Sequence, residues 1–145
     1  YKKKINKNNL NSIIKNFDII VDGSDNFKTK FLINKYSIKY KKILILGAIS
    51  KFDGHVFTFD FKQKKTACLK CFYQSEPSDE MLNCETEGIM GPVAGIIANI
   101  QANEVLKKIL NIGTDLQNSI LIVNLLSLKF KKVSFTKKRK CICES

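Results

Sequence analysis

Tryptophan is absent from this chain of 145 residues, histidine occurs once and proline twice, and Arg139 is the only arginine. Each shortage excludes something. A single histidine, His55, has no second residue nearby to complete a catalytic pair, so it reads as structural and receives no role. One arginine among 25 basic residues leaves lysine point charges, not the planar forks that grip phosphate or guanine in two places. No Gly-x-Gly occurs anywhere, so the tight glycine turn that cradles a nucleotide pyrophosphate is not encoded in these residues. No apolar run approaches about 18 residues, which excludes a sequence-legible membrane helix. Tyr1-Lys2-Lys3-Lys4-Ile5 is not followed by a hydrophobic signal region, so a soluble, cytoplasmic protein is expected.

Hydrophobic residues make up 44% of the chain, enough for a globular core, and the length suits one domain spanning residues 1–145. The formal net charge of +12 raises nucleic-acid binding. The lysines, however, are scattered along the whole chain beside abundant Ile and Asn, which reads as a bias acting everywhere, and no nucleic-acid role is expected. The runs Lys62-Gln63-Lys64-Lys65 and Lys137-Lys138-Arg139-Lys140 flank cysteines and can steer an acidic partner, or simply form a solvated face.

Apolar periodicity predicts a short helix over 10–15, a strand over 17–21, a helix from about Asp25 to Tyr40, and a strand over 43–46 stopped by Gly47. That strand-helix-strand order favours two parallel strands joined by a right-handed crossover. A third strand follows at 56–61. Residues 66–88 turn polar and irregular and read as a long loop. Gly91-Pro92 restarts a helix, apolar on nearly all sides and so expected to be largely buried, which ends near Leu110 before Gly113. Strands at 120–123 and 129–135 close the chain as a hairpin. The expected class is α/β, a Rossmann-like, partly parallel sheet with flanking helices and a C-terminal antiparallel portion.

The densest chemistry lies at Asp22-Gly23-Ser24-Asp25-Asn26-Phe27, where the first strand meets its helix, the edge at which α/β proteins bind ligands. Asp25 can hold a metal ion there or merely cap the helix. The cysteines fall into Cys68-x-x-Cys71, Cys141-x-Cys143 and a solitary Cys84. Two close pairs far apart in sequence suit a tetrahedral Zn2+ that staples the C-terminal tail to the loop; ordinary free thiols are the other reading. Cys84 is a nucleophile only where its pKa is lowered, and neighbouring Glu85 and Glu87 act the wrong way.

In order and spacing, the Asp22–Phe27 segment, Cys68-x-x-Cys71, Asn83-Cys84, Gly88-Ile89-Met90-Gly91-Pro92-Val93, Gln101-Ala102 with Glu104, and the closing cysteine pair resemble the ThiF/MoeB/HesA family, the bacterial relatives of ubiquitin-activating enzymes. The resemblance implies ATP-dependent adenylation of the C-terminal glycine of a ubiquitin-like sulfur carrier protein, of the kind serving thiamine or molybdopterin biosynthesis. By the same resemblance Asp25 coordinates Mg2+ at the ATP phosphates, Asn26 lies in the nucleotide pocket, and Lys30 stands where many relatives have arginine. Cys68, Cys71, Cys141 and Cys143 match structural zinc ligands, and Cys84 matches a cysteine that some members link covalently during sulfur transfer. A homodimer and a sulfurtransferase partner are also implied. The family's glycine-rich ATP loop is missing, so an N-terminally truncated domain, incompetent in isolation, is expected. A non-catalytic zinc-stabilised module that binds the carrier or a sulfurtransferase is the alternative.

Overall fold

Every residue from Ile43 to Ala48 is buried in β2 (Ile43–Ser50), so this strand needs cover on both faces of its sheet. A computed structural model describes residues 1–73, 75–77 and 88–144, and it supplies that cover. Leu44 and Leu46 point into one apolar cluster with Phe57 and Phe59 of β3 (Asp53–Asp60). Ile43 and Ile45 point into a second cluster with Val56. Burying each phenylalanine of the first cluster contributes about 1.5–3 kcal/mol against leaving it in water.

The sheet runs β1 (Ile19–Asp22), β2, β3, β4 (Ser119–Asn124), β5 (Lys129–Ser134). β1 and β2 are parallel, with Ile19 opposite Ile43 and Asp22 opposite Leu46. The remaining pairs are antiparallel. One face carries α1 (Leu10–Ile13) with a 3-10 turn (Ile14–Asn16), α2 (Phe27–Lys39) and the short α3 (Leu69–Phe72). The other face carries α4 (Gly91–Leu110). α2 is the crossover between the two parallel strands, as its place between them in sequence required.

Three expectations are corrected. β2 does not stop at Gly47 but continues to Ser50, because Gly47 serves a close approach there and not a turn: a Cβ at Gly47 would lie 2.5 Å from Gln101 Oε1. α4 is not buried all round. It buries Val93, Ile97, Gln101 and Glu104 against the sheet and leaves Leu106, Ile109 and Leu110 exposed, since one layer of sheet covers one stripe of a helix. The segment read as a long loop contains α3, while residues 78–87, Cys84 among them, lie outside the described residues.

α4 sits low on the sheet because two strand positions lack side chains. A Cβ on Gly54 would lie 2.3 Å from Ile97 Cγ1, closer than packed carbons approach. Gly54→Ala is therefore expected to lower stability by about 1–3 kcal/mol in urea unfolding, the usual cost of overpacking. Adding Ile97→Ala to Gly54→Ala should recover part of that loss, giving a favourable coupling in the double-mutant cycle.

Candidate functional site

β1 ends at Asp22, whose carboxylate turns the chain by accepting a hydrogen bond from Ser24 N at 2.9 Å. Asn26 then starts α2: its Oδ1 accepts from Thr29 N at 2.8 Å, and its own backbone is extended, as an N-cap residue's should be. Capping is thus done by Asn26, which leaves the adjacent carboxylate of Asp25 exposed and available. Asn26 Nδ2 donates to Asp25 Oδ1 at 3.0 Å. That amide, together with the backbone N–H of Asp25 and the charge of Lys30, holds the Asp25 carboxyl below its ordinary range, so it is ionised at neutral pH.

Lys30 lies one turn into α2 and is buried, not presented at the surface. Its Nζ donates to Gly47 O at 2.6 Å and lies 3.6 Å from Asp22 Oδ2. A buried ammonium is tolerable with such partners, and removing one of them costs about 3–5 kcal/mol. From the opposite face Gln101 of α4 donates through Nε2 to Asp22 O at 3.0 Å and to Ile45 O at 3.3 Å. Gln101 entered the sequence reading only within the family pattern, yet a signal for its place exists: it is a polar residue on the 93, 97, 101, 104 stripe of an apolar helix, and Gly47 is the space it occupies.

Between these groups lies a cleft of about 200 Å3 at the carboxyl ends of β1 and β2, lined by Gly23, Ser24, Asp25, Lys30, Gly47 and Gln101, with Ile89, Ala94, Ile97 and Ala98 from the α4 side. Ser24 Oγ is buried there without a hydrogen-bond partner among the described residues, a donor that a ligand oxygen would satisfy. A cleft of this size accepts a phosphate or a sugar but falls short of the roughly 300 Å3 at which whole-ligand pockets begin. His55 lies outside it, on β3, beside a smaller hollow lined by Phe27, Ser50, Asp53 and Tyr73. Burial lowers its pKa against the pull of Asp53, which keeps the ring neutral.

The second cluster is made of sulfur. Cys68 immediately precedes α3 and Cys71 lies within it, and the tail brings Cys141 and Cys143 to them. Cys68 Sγ lies 4.0 Å from Cys71 Sγ and 3.6 Å from Cys141 Sγ; Cys71 Sγ lies 3.5 Å from Cys143 Sγ. All four sulfurs fall within 4.8 Å of one another. A tetrahedral ion with metal–sulfur bonds of about 2.3 Å needs sulfur–sulfur edges of about 3.8 Å, so the donor set fits Zn2+. The tighter Cys-x-Cys spacing is no obstacle to convergence. Burial and the neighbouring thiols push the Cys68 thiol up to about 12 and that of Cys143 upward as well. At Cys71 burial, the largest single influence, is outweighed only by the hydrogen bonds to its sulfur taken together, the N–H of Lys138 at 3.4 Å foremost, and that thiol shifts down. A divalent cation would supply the charge that lets all four ionise.

A family model described as "ThiF family" matches residues 1–145. A "Probable molybdopterin-synthase adenylyltransferase" of Gracilaria tenuistipitata var. liui is 34% identical over 132 residues, covering 91% of this chain and 37% of that protein. A "Sulfur carrier protein adenylyltransferase" of Thermus thermophilus is 29% identical over 145 residues, covering 97% of this chain and 54% of that one. An "Adenylyltransferase and sulfurtransferase MOCS3" of Drosophila persimilis is 32% identical over 140 residues, covering 96% and 31%. The chain thus spans about a third to a half of the curated relatives it matches. In fold it is similar to E. coli MccB in its crystal structure with ATP, with a TM-score of 0.78 at 19% identity over 100% of this chain and 45% of that one.

The sulfur geometry has a direct consequence. The purified protein is expected to carry about one zinc per chain by atomic absorption, and Cys68→Ser to lose most of it. Stripping the metal with a chelator should lower the unfolding midpoint by at least about 4 °C, since it frees the tail from α3.

Proposed function

This chain belongs to the ThiF family, and from that footing we propose that it carries one wall of an adenylating site acting on the C-terminal glycine of a ubiquitin-like sulfur carrier protein. The observation that carries the proposal is the placement of Asp25: ionised, released from capping by Asn26, and set over a cleft at the carboxyl edge of two parallel strands.

In the proposed reaction a carboxylate oxygen of the carrier's terminal glycine attacks the α-phosphorus of ATP, the bond to the β-phosphate oxygen breaks, and pyrophosphate leaves. Mg2+ held at Asp25 would neutralise phosphate charge during this step. Asn26 fixes the Asp25 carboxylate by its amide and starts α2. Lys30 adds positive potential beside the cleft while bonded to Gly47 O. Cys68, Cys71, Cys141 and Cys143 would hold Zn2+ in a structural role, because all four ligand positions are filled by protein and none is left for substrate. Cys84 is proposed as the covalent sulfur-transfer residue, with a sulfurtransferase as the partner that reaches it, and homodimerisation belongs to the same proposal.

The cleft's small volume supports a divided site, its glycine-rich loop supplied by residues outside this sequence. The same volume favours, as a second reading, a module that binds the carrier without turning over ATP. Carrier-dependent ATP–pyrophosphate exchange separates the two. The 145 residues alone should give background exchange. A longer chain that adds a Gly-x-Gly-Gly loop on the amino side should exchange, and Asp25→Asn should lower its rate about 100-fold or more. Exchange by the 145 residues alone would sink the divided site; exchange in the longer chain that is indifferent to Asp25→Asn would sink the role of Asp25. Carrier binding without exchange in the longer chain would select the second reading.

A further inference from the structure

The lysines are not spread evenly once the chain is folded. Residues 62–71 and 136–144 hold eight of the 25 basic residues and one of the 13 acidic ones, which leaves 17 against 12 for the rest of the chain. The fold sets these two segments side by side. Lys137 Nζ donates to Lys64 O at 3.1 Å, Lys138 N donates to Cys71 Sγ at 3.4 Å, and the sulfurs of Cys141 and Cys143 close on those of Cys68 and Cys71. The result is a basic pole, a surface that starts from the amino end of β2, where β3, antiparallel to β2, delivers residue 61, and whose residues do not line the cleft at Asp25.

Neighbouring carboxylates do little to neutralise it. Asp60 is paired with Lys108 Nζ at 3.3 Å, and Glu144, which accepts from the backbone N–H of Lys140 and keeps its charge, offsets one of the eight cations. Holding like charges this close on a pinned surface is unfavourable by itself, and it produces a local field that attracts an acidic partner. The two segments contain no aromatic residue on which a base could stack, and a single arginine, so the surface lacks what single-stranded nucleic acid uses. It does have an apolar centre: Ile142, 43% exposed, stands between the two tail cysteines. An apolar contact surrounded by charge is the anatomy of a protein docking site.

We propose that this pole docks a protein presenting a carboxylate-rich patch with an apolar residue at its centre, that residue packing on Ile142. The site is separate from the cleft at Asp25 and independent of the adenylation reading. The probe is a fluorescein-labelled peptide of about 20 residues in which Glu and Asp surround regularly spaced Leu, followed by anisotropy at about 50 and 200 mM salt, with an oligothymidylate of equal length as the nucleic-acid arm. The peptide should bind at least about tenfold more tightly than the oligonucleotide at the lower salt and weaken at the higher. The triple change Lys64→Glu, Lys138→Glu, Arg139→Glu should weaken it about tenfold or more, and Ile142→Ser about threefold. An equal charge reversal at Lys35, Lys129 and Lys131 should change it less than about twofold. Glutamine at the same three pole positions provides the milder variant, and metal content with circular dichroism verifies the fold of each. Equal losses from pole and control reversals, tighter binding of the oligonucleotide, or no peptide binding at the lower salt would each overturn the proposal.

Discussion

The carboxyl ends of β1 and β2 are gripped from both faces by two buried polar side chains, and the geometry of the candidate site depends on that grip. Lys30 reaches down from α2 to Gly47 O and Asp22, and Gln101 reaches up from α4 to Asp22 O and Ile45 O. Carbonyls at the end of a short parallel pair would otherwise be left without donors as the strands part. With them satisfied, the turn from Asp22 to Asn26 leaves the sheet in a defined direction, and Asp25 is carried to the mouth of the cleft. The absence of a side chain at Gly47 allows this, because Gln101 occupies the place a Cβ would take.

A second constraint acts at the other end of the sheet. β5 is an exposed edge strand, and Phe135 just past it packs its ring against Phe57, Phe59 and Phe72, but the rest of the tail needs something further to secure it. The closure of Cys141 and Cys143 on α3 does so, bringing together segments about seventy residues apart, where loop-closure entropy works strongly against a chance encounter. Asn34 of α2 extends the same closure inward by accepting from Leu69 N at 3.1 Å, so the helix that carries Lys30 also steadies the helix that follows Cys68 and carries Cys71. The two ends of the molecule are therefore mechanically joined through α2.

Much of this was legible from the residue pattern. Strands at β1, β3, β4 and β5, the limits of α2 and α4, the parallel crossover and the pairing of distant cysteines all follow from local periodicity, turn residues and spacing. The misreadings share one cause. Gly47 looks like a terminator because glycine ends strands on local grounds, and only contact with α4 makes it a packing site. The apolar stretch of α4 looks buried all round because composition does not say how many neighbours a helix has. Scattered lysines look like a uniform bias because sequence distance hides the apposition of residues 62–71 with 136–144.

What the sequence determined by itself is the list of parts: alternating strand and helix, a carboxylate at a strand end, two cysteine pairs and an excess of lysine, each written in residues close together along the chain. Tertiary structure decided which of those parts work together. It gave capping to Asn26 and left Asp25 available, it buried Lys30 against Gly47 O, and it gathered four sulfurs and eight cations at one pole. Those outcomes rest on contacts between residues that are dozens of positions apart, and short-range pattern carries no information about distances of that kind.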